Sequence, residues 1–70
     1  MQALPVLKQG ATGAQVRNVQ ALLQARGYSV TLDGVFGPAT DATVKRLQAN
    51  WHLSADGVVG PKTWPALMDV

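Results

Sequence analysis

Asp33-Gly34-Val35-Phe36-Gly37-Pro38-Ala39-Thr40 returns 23 residues later as Asp56-Gly57-Val58-Val59-Gly60-Pro61-Lys62-Thr63, with six of the eight positions identical. Each copy has the same grammar. Asp-Gly is a turn dipeptide and a short apolar pair follows it. Gly-Pro then opens a helix, with Gly as N-cap and Pro at the first helical position, where its missing N–H has no partner to lose. Two like-built loops, each leading into a helix, set the frame for the rest of the chain.

Upstream of the first copy, Thr12 and Gln15 have capping-box spacing. Val16, Val19, Leu22 and Leu23 then recur at helical period as far as Arg26 and the stop signal Gly27, so a first helix is expected over residues 13–26. Past Gly37, Thr40, Val44, Leu47 and Trp51 share one helical face, with Asp41, Lys45, Arg46, Gln48 and Asn50 mostly on the other. A second helix is expected over residues 38–50. The third starts at Pro61 and offers Trp64, Leu67 and Met68 to a core, but Pro65 falls where an intrahelical N–H is expected, so it is short or kinked.

Tyr28-Ser29-Val30-Thr31-Leu32 alternates weakly like a strand, but one short strand has no partner here and reads as an extended connection. Leu4, Val6 and Leu7 are expected to pack across the helices as an N-terminal arm, with residues 1–6 outside the bundle proper. The fold class is all-α, a small three-helix bundle forming a single domain over residues 1–70. The two loops join consecutive helices and approach from comparable directions, so they are expected to flank one shallow groove.

The chain has 47% hydrophobic and 14% charged residues, the composition of an ordinary globular domain. Its 70 residues suffice for one small core and not for two. The formal charge of +2 comes from Lys8, Arg17, Arg26, Lys45, Arg46 and Lys62 against Asp33, Asp41, Asp56 and Asp69. The only adjacent basic pair is Lys45-Arg46, an arrangement common on solvated helix faces. A small helix-turn-helix DNA-binding domain is a rival reading on charge and helix count. Its recognition helix would be the one after Gly60, which carries Lys62 and no Asn, Gln or Arg to read bases, so no nucleic-acid partner is expected.

Cysteine is absent, which excludes disulfides, thiolate zinc sites and a cysteine nucleophile. His52 is the only histidine, so a zinc site would have to draw on scattered aspartates. Neither metal nor cofactor is expected. Asp33 and Asp56 are the one candidate carboxylate pair for acid/base hydrolysis. Each precedes Gly in a turn, where an aspartate accepts hydrogen bonds from its own loop. Ser29 and Ser54 lack the elbow and oxyanion context of a nucleophile, so no enzyme activity is expected in this chain. It has no membrane-length apolar run, and no export signal is visible in it. It reads either as one domain of a longer protein or as a protein exported by other means.

These residues together resemble the peptidoglycan-binding domain of zinc carboxypeptidases, amidases and phage endolysins. The likeness covers nearly the whole chain: Leu7, Gly10 and Gly13; then Val16, Gln20, Leu23, Gly27 and Tyr28; then Asp33 to Gly37 with Thr40, Ala42, Val44 and Gln48; then Leu53, Asp56 to Gly60, Thr63, Trp64 and Leu67. Three positions depart from the family pattern. Val19 stands for Leu, Leu47 for Phe, and His52 for a Gly that suggests a left-handed helix C-cap, so His52 is expected to cost some stability or to end the second helix differently.

The resemblance implies non-catalytic binding of peptidoglycan, glycan or stem peptide, by a module that anchors a covalently linked hydrolase at the bacterial cell envelope or outside the cell. The same fold resembles the pro-region module of animal matrix metalloproteinases, which leaves a partner-docking role as the alternative. The repeat supplies a location, the groove between the loops. Asp33, Gly34, Gly37, Asp56, Gly57 and Gly60 would shape it, and Tyr28, Thr40, Thr63 and Trp64 would line it. Pro38 and Pro61 each delete a donor at the helix starts, and the aspartates repel anions, so neutral hydrogen bonds and apolar contacts are favoured there over a carboxylate clamp. Trp51 and Trp64 are candidates for stacking on sugar rings, with core packing the commoner role of tryptophan in so small a domain. Phe36 reads as a plug pinning its loop to the bundle.

Overall fold

The computed structural model describes residues 4–68. It contains three helices, α1 (Ala14–Ala25), α2 (Pro38–Asn50) and α3 (Thr63–Met68). The described residues form two isolated bridges but no strand, Leu7 with Val59 and Thr12 with Val35, both antiparallel. The core gathers Val16, Val19 and Leu23 from α1, Val44 and Leu47 from α2, and Trp64, Ala66 and Leu67 from α3, closed by Leu7, Phe36 and Val59. Each fully buried aliphatic or aromatic side chain in it contributes roughly 1.5–3 kcal/mol.

The chain before α1 binds the two repeated loops together. Leu7 and Val59 exchange both backbone hydrogen bonds, at 3.0 and 2.7 Å. Gly10 N–H donates to Phe36 O, Phe36 N–H to Ala11 O, and Gly13 N–H to Gly34 O, each at 2.9 Å. Phe36 and Val59 hold the same place in the two copies of the repeat, one of the two places where the copies differ, and both are buried plugs. The arm expected from Leu4, Val6 and Leu7 is thereby narrowed to Leu7, since Leu4 and Val6 are exposed. In extended backbone successive side chains point to opposite sides, so a Leu7 turned inward leaves Val6 in water.

Three local expectations are corrected. Thr12 does not cap α1: it lies in the bridge to Val35, and the N-cap is Gly13 at φ 115 with no side-chain cap bond. α3 is short, as expected, at six residues, and the correction is to its start, since Gly60-Pro61 does not supply its N-cap and first residue. The helix proper starts at Thr63, so Pro65 is its third residue, among the N–H groups that have no helical acceptor in any case. Trp51 leaves the inward face of α2. It is the C-cap, at φ −100, and is exposed, while Gln48, expected on the polar face, is buried beside Thr40, Thr43, Val44 and Leu47.

Helices α1 and α2 close alike. After α1, Gly27 at φ 90 lets Tyr28 N–H reach back to Leu23 O at 3.0 Å; after α2, His52 at φ 57 lets Leu53 N–H reach Gln48 O at 2.8 Å. His52 is the only described residue other than glycine with positive φ. The left-handed well crowds Cβ against the following carbonyl, a strain glycine lacks. His52→Gly is therefore expected to raise stability by about 0.5–1 kcal/mol, part of the relief being offset by the looser unfolded chain. An unchanged or lower urea midpoint would count against this account of the turn.

Candidate functional site

Each repeated loop is built around one buried glutamine from the preceding helix. Gln20 of α1 accepts Gly34 N–H on Oε1 at 2.9 Å. Its amide donates to Asp33 Oδ1 at 2.9 Å, Val35 O at 3.1 Å and Thr40 Oγ1 at 3.1 Å. Gln48 of α2 repeats the pattern. It accepts Gly57 N–H at 3.0 Å and donates to Asp56 Oδ1 at 3.0 Å, Val58 O at 2.9 Å and Thr63 Oγ1 at 3.1 Å. An amide is suited to this place because one flat group offers an acceptor and two N–H donors, one of the N–H groups being shared between two of the three oxygens. A loop carrying one inward N–H and several inward oxygens needs both kinds of partner. Among the described residues no buried side-chain polar atom lacks a hydrogen bond.

Asp33 and Asp56 complete the loops. Each Oδ1 also accepts the N–H two residues on, Val35 for one and Val58 for the other, both at 2.9 Å. The Val35 N–H and then the Gln20 amide hold the Asp33 carboxyl below the ordinary aspartate value. For Asp56 the Val58 N–H contributes most to a shift in the same direction; burial, next in size, opposes it, and Gln48 and the charge of Lys45 add smaller lowering effects.

A carboxyl depressed on folding stabilises the native state above its unfolded pKa and loses that contribution as pH falls through the folded value. Melting temperature is thus expected to be flat above about pH 5 and to drop below about pH 4, where these groups protonate. Asp33→Asn and Asp56→Asn should flatten that drop. An acid profile the same as wild type would show that these carboxyls do not set it.

The residues expected to bind ligand fall into distinct environments. Gly34, Thr40, Gly57, Gly60 and Thr63 are buried, and Gly37 is half-buried. Tyr28 is half-buried, and its hydroxyl accepts from Asn50 Nδ2 at 2.7 Å. Trp64 is 4% exposed and donates Nε1–H to Pro5 O at 2.8 Å, which sets its ring in the core. Each loop lines a depression of its own, and the two share no lining residue. The first, about 270 Å³, lies between Val30-Thr31 and the stretch from Asp33 to Thr40. The second, about 410 Å³, lies between His52-Leu53-Ser54 and the stretch from Asp56 to Thr63, and carries Lys62 where the first has Ala39.

Sequence reasoning missed the role of the two glutamines, although a signal was present. Val16-Arg17-Asn18-Val19-Gln20-Ala21 matches Val44-Lys45-Arg46-Leu47-Gln48-Ala49 at an offset of 28 rather than 23. The offsets differ because α1 continues five residues past its glutamine and α2 only two, and because the connection after α1 is longer. The repeated unit is therefore a helix with its loop, in two copies whose spacing is unequal.

Residues 12–67, four-fifths of the chain and all of this loop-and-glutamine framework, match the family model described as "Putative peptidoglycan binding domain". The chain belongs to the peptidoglycan-binding domain family. Within that family it is 43% identical over 61 residues to the zinc D-Ala-D-Ala carboxypeptidase of Streptomyces albus G, covering 83% of this chain and 24% of that protein. The crystal structure of the Burkholderia AP3 phage endolysin superposes with a TM-score of 0.88 at 41% identity, over 90% of this chain and 24% of that one. The SleB N-terminal domain, also at TM-score 0.88, is 35% identical and is covered over 90% of its length, against 93% of this chain. The chain thus spans about a quarter of the carboxypeptidase and of the endolysin, and nearly all of the separate SleB domain. Among the described residues no helix is long and apolar enough to cross a membrane, and no group of three or more His, Cys, Asp or Glu could hold a metal ion.

Proposed function

We propose that this domain binds peptidoglycan without acting on it and holds a covalently linked hydrolase at the cell wall, raising the enzyme's local concentration on an insoluble substrate. The observation that carries this reading is the family match over residues 12–67. Its relatives are wall and spore-cortex enzymes of which the chain spans only a part. That relation also supports a place in the bacterial envelope or outside the cell.

The geometry supports the non-catalytic half. The two aspartates are engaged by loop N–H groups and glutamine amides, and the only described histidine sits in a helix-closing turn. For the ligand we favour the two depressions. Their floors are self-satisfied hydrogen-bond networks, leaving the rims, with Thr31, Ser54, Lys62 and exposed backbone, to meet the polymer. The test is co-sedimentation with purified sacculi at low salt. The domain is expected in the pellet and is expected to return to solution when the sacculi are digested with muramidase. A protein left wholly in the supernatant refutes the proposal.

A further inference from the structure

We infer that the end of the bundle carrying Trp51 and Tyr28 is a saccharide-stacking surface that takes the glycan strand of the wall polymer. The inference rests on the peptidoglycan reading above and names the part of the polymer this surface would hold.

The two tryptophans of the chain have opposite fates. Trp64 is a core residue, whereas Trp51 is 41% exposed and stands outside the core cluster. A large part of the ring is therefore left in water at the C-cap of α2. The ring is nevertheless held in place. The Arg26 guanidinium stacks 5.7 Å from its centroid, and Arg26 is itself anchored through Nε to Leu67 O at the end of α3. Beside it, the Arg46 guanidinium lies 6.0 Å from the Tyr28 centroid, and Asn50, the neighbour of Trp51, donates to the Tyr28 hydroxyl. The C-terminal ends of the helices thus present two pinned aromatic rings bordered by two guanidinium groups and an amide.

That combination matches an amino-sugar polymer. The C–H faces of pyranose rings stack on indole and phenol, while guanidinium and amide groups meet hydroxyl, N-acetyl and carboxylate oxygens. Rings already fixed by cation–π contacts and a hydrogen bond lose little freedom on binding. A protein partner is a poorer fit, because the chain neighbours of Trp51 are the polar Asn50 and His52, and its ring and that of Tyr28 are bordered by guanidinium groups. A single-stranded nucleic acid would also use aromatic rings and arginines, but the net charge of +2 is small for a polyanion, and one of the two arginines is tied to a carbonyl. His52 follows Trp51 directly and lines the second depression, so a strand lying on Trp51 would bring its attached peptides toward that rim.

The test uses the whole chain and its intrinsic fluorescence. Trp51 is the exposed reporter, and the near-ultraviolet dichroism of Trp64 monitors folding. Peptide-free glycan strands, prepared by amidase digestion of sacculi, are expected to shift the emission of the wild type. Trp51→Ala is expected to abolish that shift and weaken retention on sacculi roughly tenfold, with Trp51→Phe recovering much of the retention. Wild-type retention by a folded Trp51→Ala overturns the inference and leaves the wall-binding reading standing, as does a response to free stem peptides but not to glycan strands. Tight binding of single-stranded oligonucleotide in place of glycan also overturns it. If the wild type itself stays off sacculi, the reading beneath the inference fails, and the inference with it.

Discussion

Gln48→Leu is expected to destabilise the domain by about 3 kcal/mol, lowering its melting temperature by roughly 12–24 °C. Leucine has nearly the volume of glutamine, so the change leaves no large cavity and isolates the hydrogen bonds. It leaves the buried Gly57 N–H without its partner, and leaves Val58 O and the Thr63 hydroxyl with only the 3.3 Å hydrogen bond between them. An orphaned buried polar group costs about 1–3 kcal/mol. A chain of this size has only about 4–10 kcal/mol in total, so a single substitution takes a large share. Gln20→Leu should act similarly through Gly34, Val35 and Thr40.

Gln48→Glu separates donor from acceptor roles. Glutamate can still accept the Gly57 N–H, but it meets Asp56 Oδ1 and Val58 O with charge instead of donors. Its pKa must rise on folding, so its destabilisation should be large at pH 7 and ease as the pH falls toward 5. Chemical denaturation of the three variants checks this. A loss below about 1 kcal/mol for Gln48→Leu would mean that water satisfies the loop and that the glutamine is not its organiser.

Gly57→Ala carries the other large expected effect, a loss of about 2–3 kcal/mol. Gly57 sits at φ 75 in the left-handed region, where any Cβ is strained. In this loop a Cβ would also collide with the Asp41 carboxylate, the group that pairs with Lys45 at 3.1 Å. Gly34→Ala shares the backbone strain at φ 74, but its Cβ would meet chiefly the Arg17 side chain, at 3.0 Å from Cγ. That flexible chain can move, so the smaller loss is expected there. Gly37→Ala is the control, since its Cβ would meet nothing within 4 Å and its φ is ordinary. Equal losses at positions 34 and 57 would show that backbone conformation outweighs the close approach of α2 to the second loop.

The two predictions bear on different halves of one unit. The glutamine fills the inside of each loop, while the basic residue three places before it, Arg17 in one copy and Lys45 in the other, lies over the glycine. A helix therefore grips its loop from two sides. Loss of either grip should loosen the depression beside that loop, and with it the surface proposed to meet the wall polymer.

The sequence by itself determined the elements that local chemistry specifies. The Gly37-Pro38 opening marked the start of α2, Gly27 marked the end of α1, and the repeat announced two equivalent loops. It also determined the family, because an ordered set of turn glycines, aspartates and core positions along most of the chain is specific even where each piece is weak. Only the tertiary structure decided which polar residues go inside and which aromatic residue stays out. Gln20 and Gln48 look like ordinary helix-surface residues until a loop from elsewhere brings acceptors and a donor onto them. Trp51 continues the apolar stripe of α2 by spacing, yet the helix ends one residue before it and its ring turns toward Arg26 and water. Helical periodicity describes a face, while burial depends on what later packs against that face. For this reason the places of Gln20, Gln48 and Trp51, unlike the helix pattern, were decided only once the loops and the C-terminal ends of the helices had been placed in space.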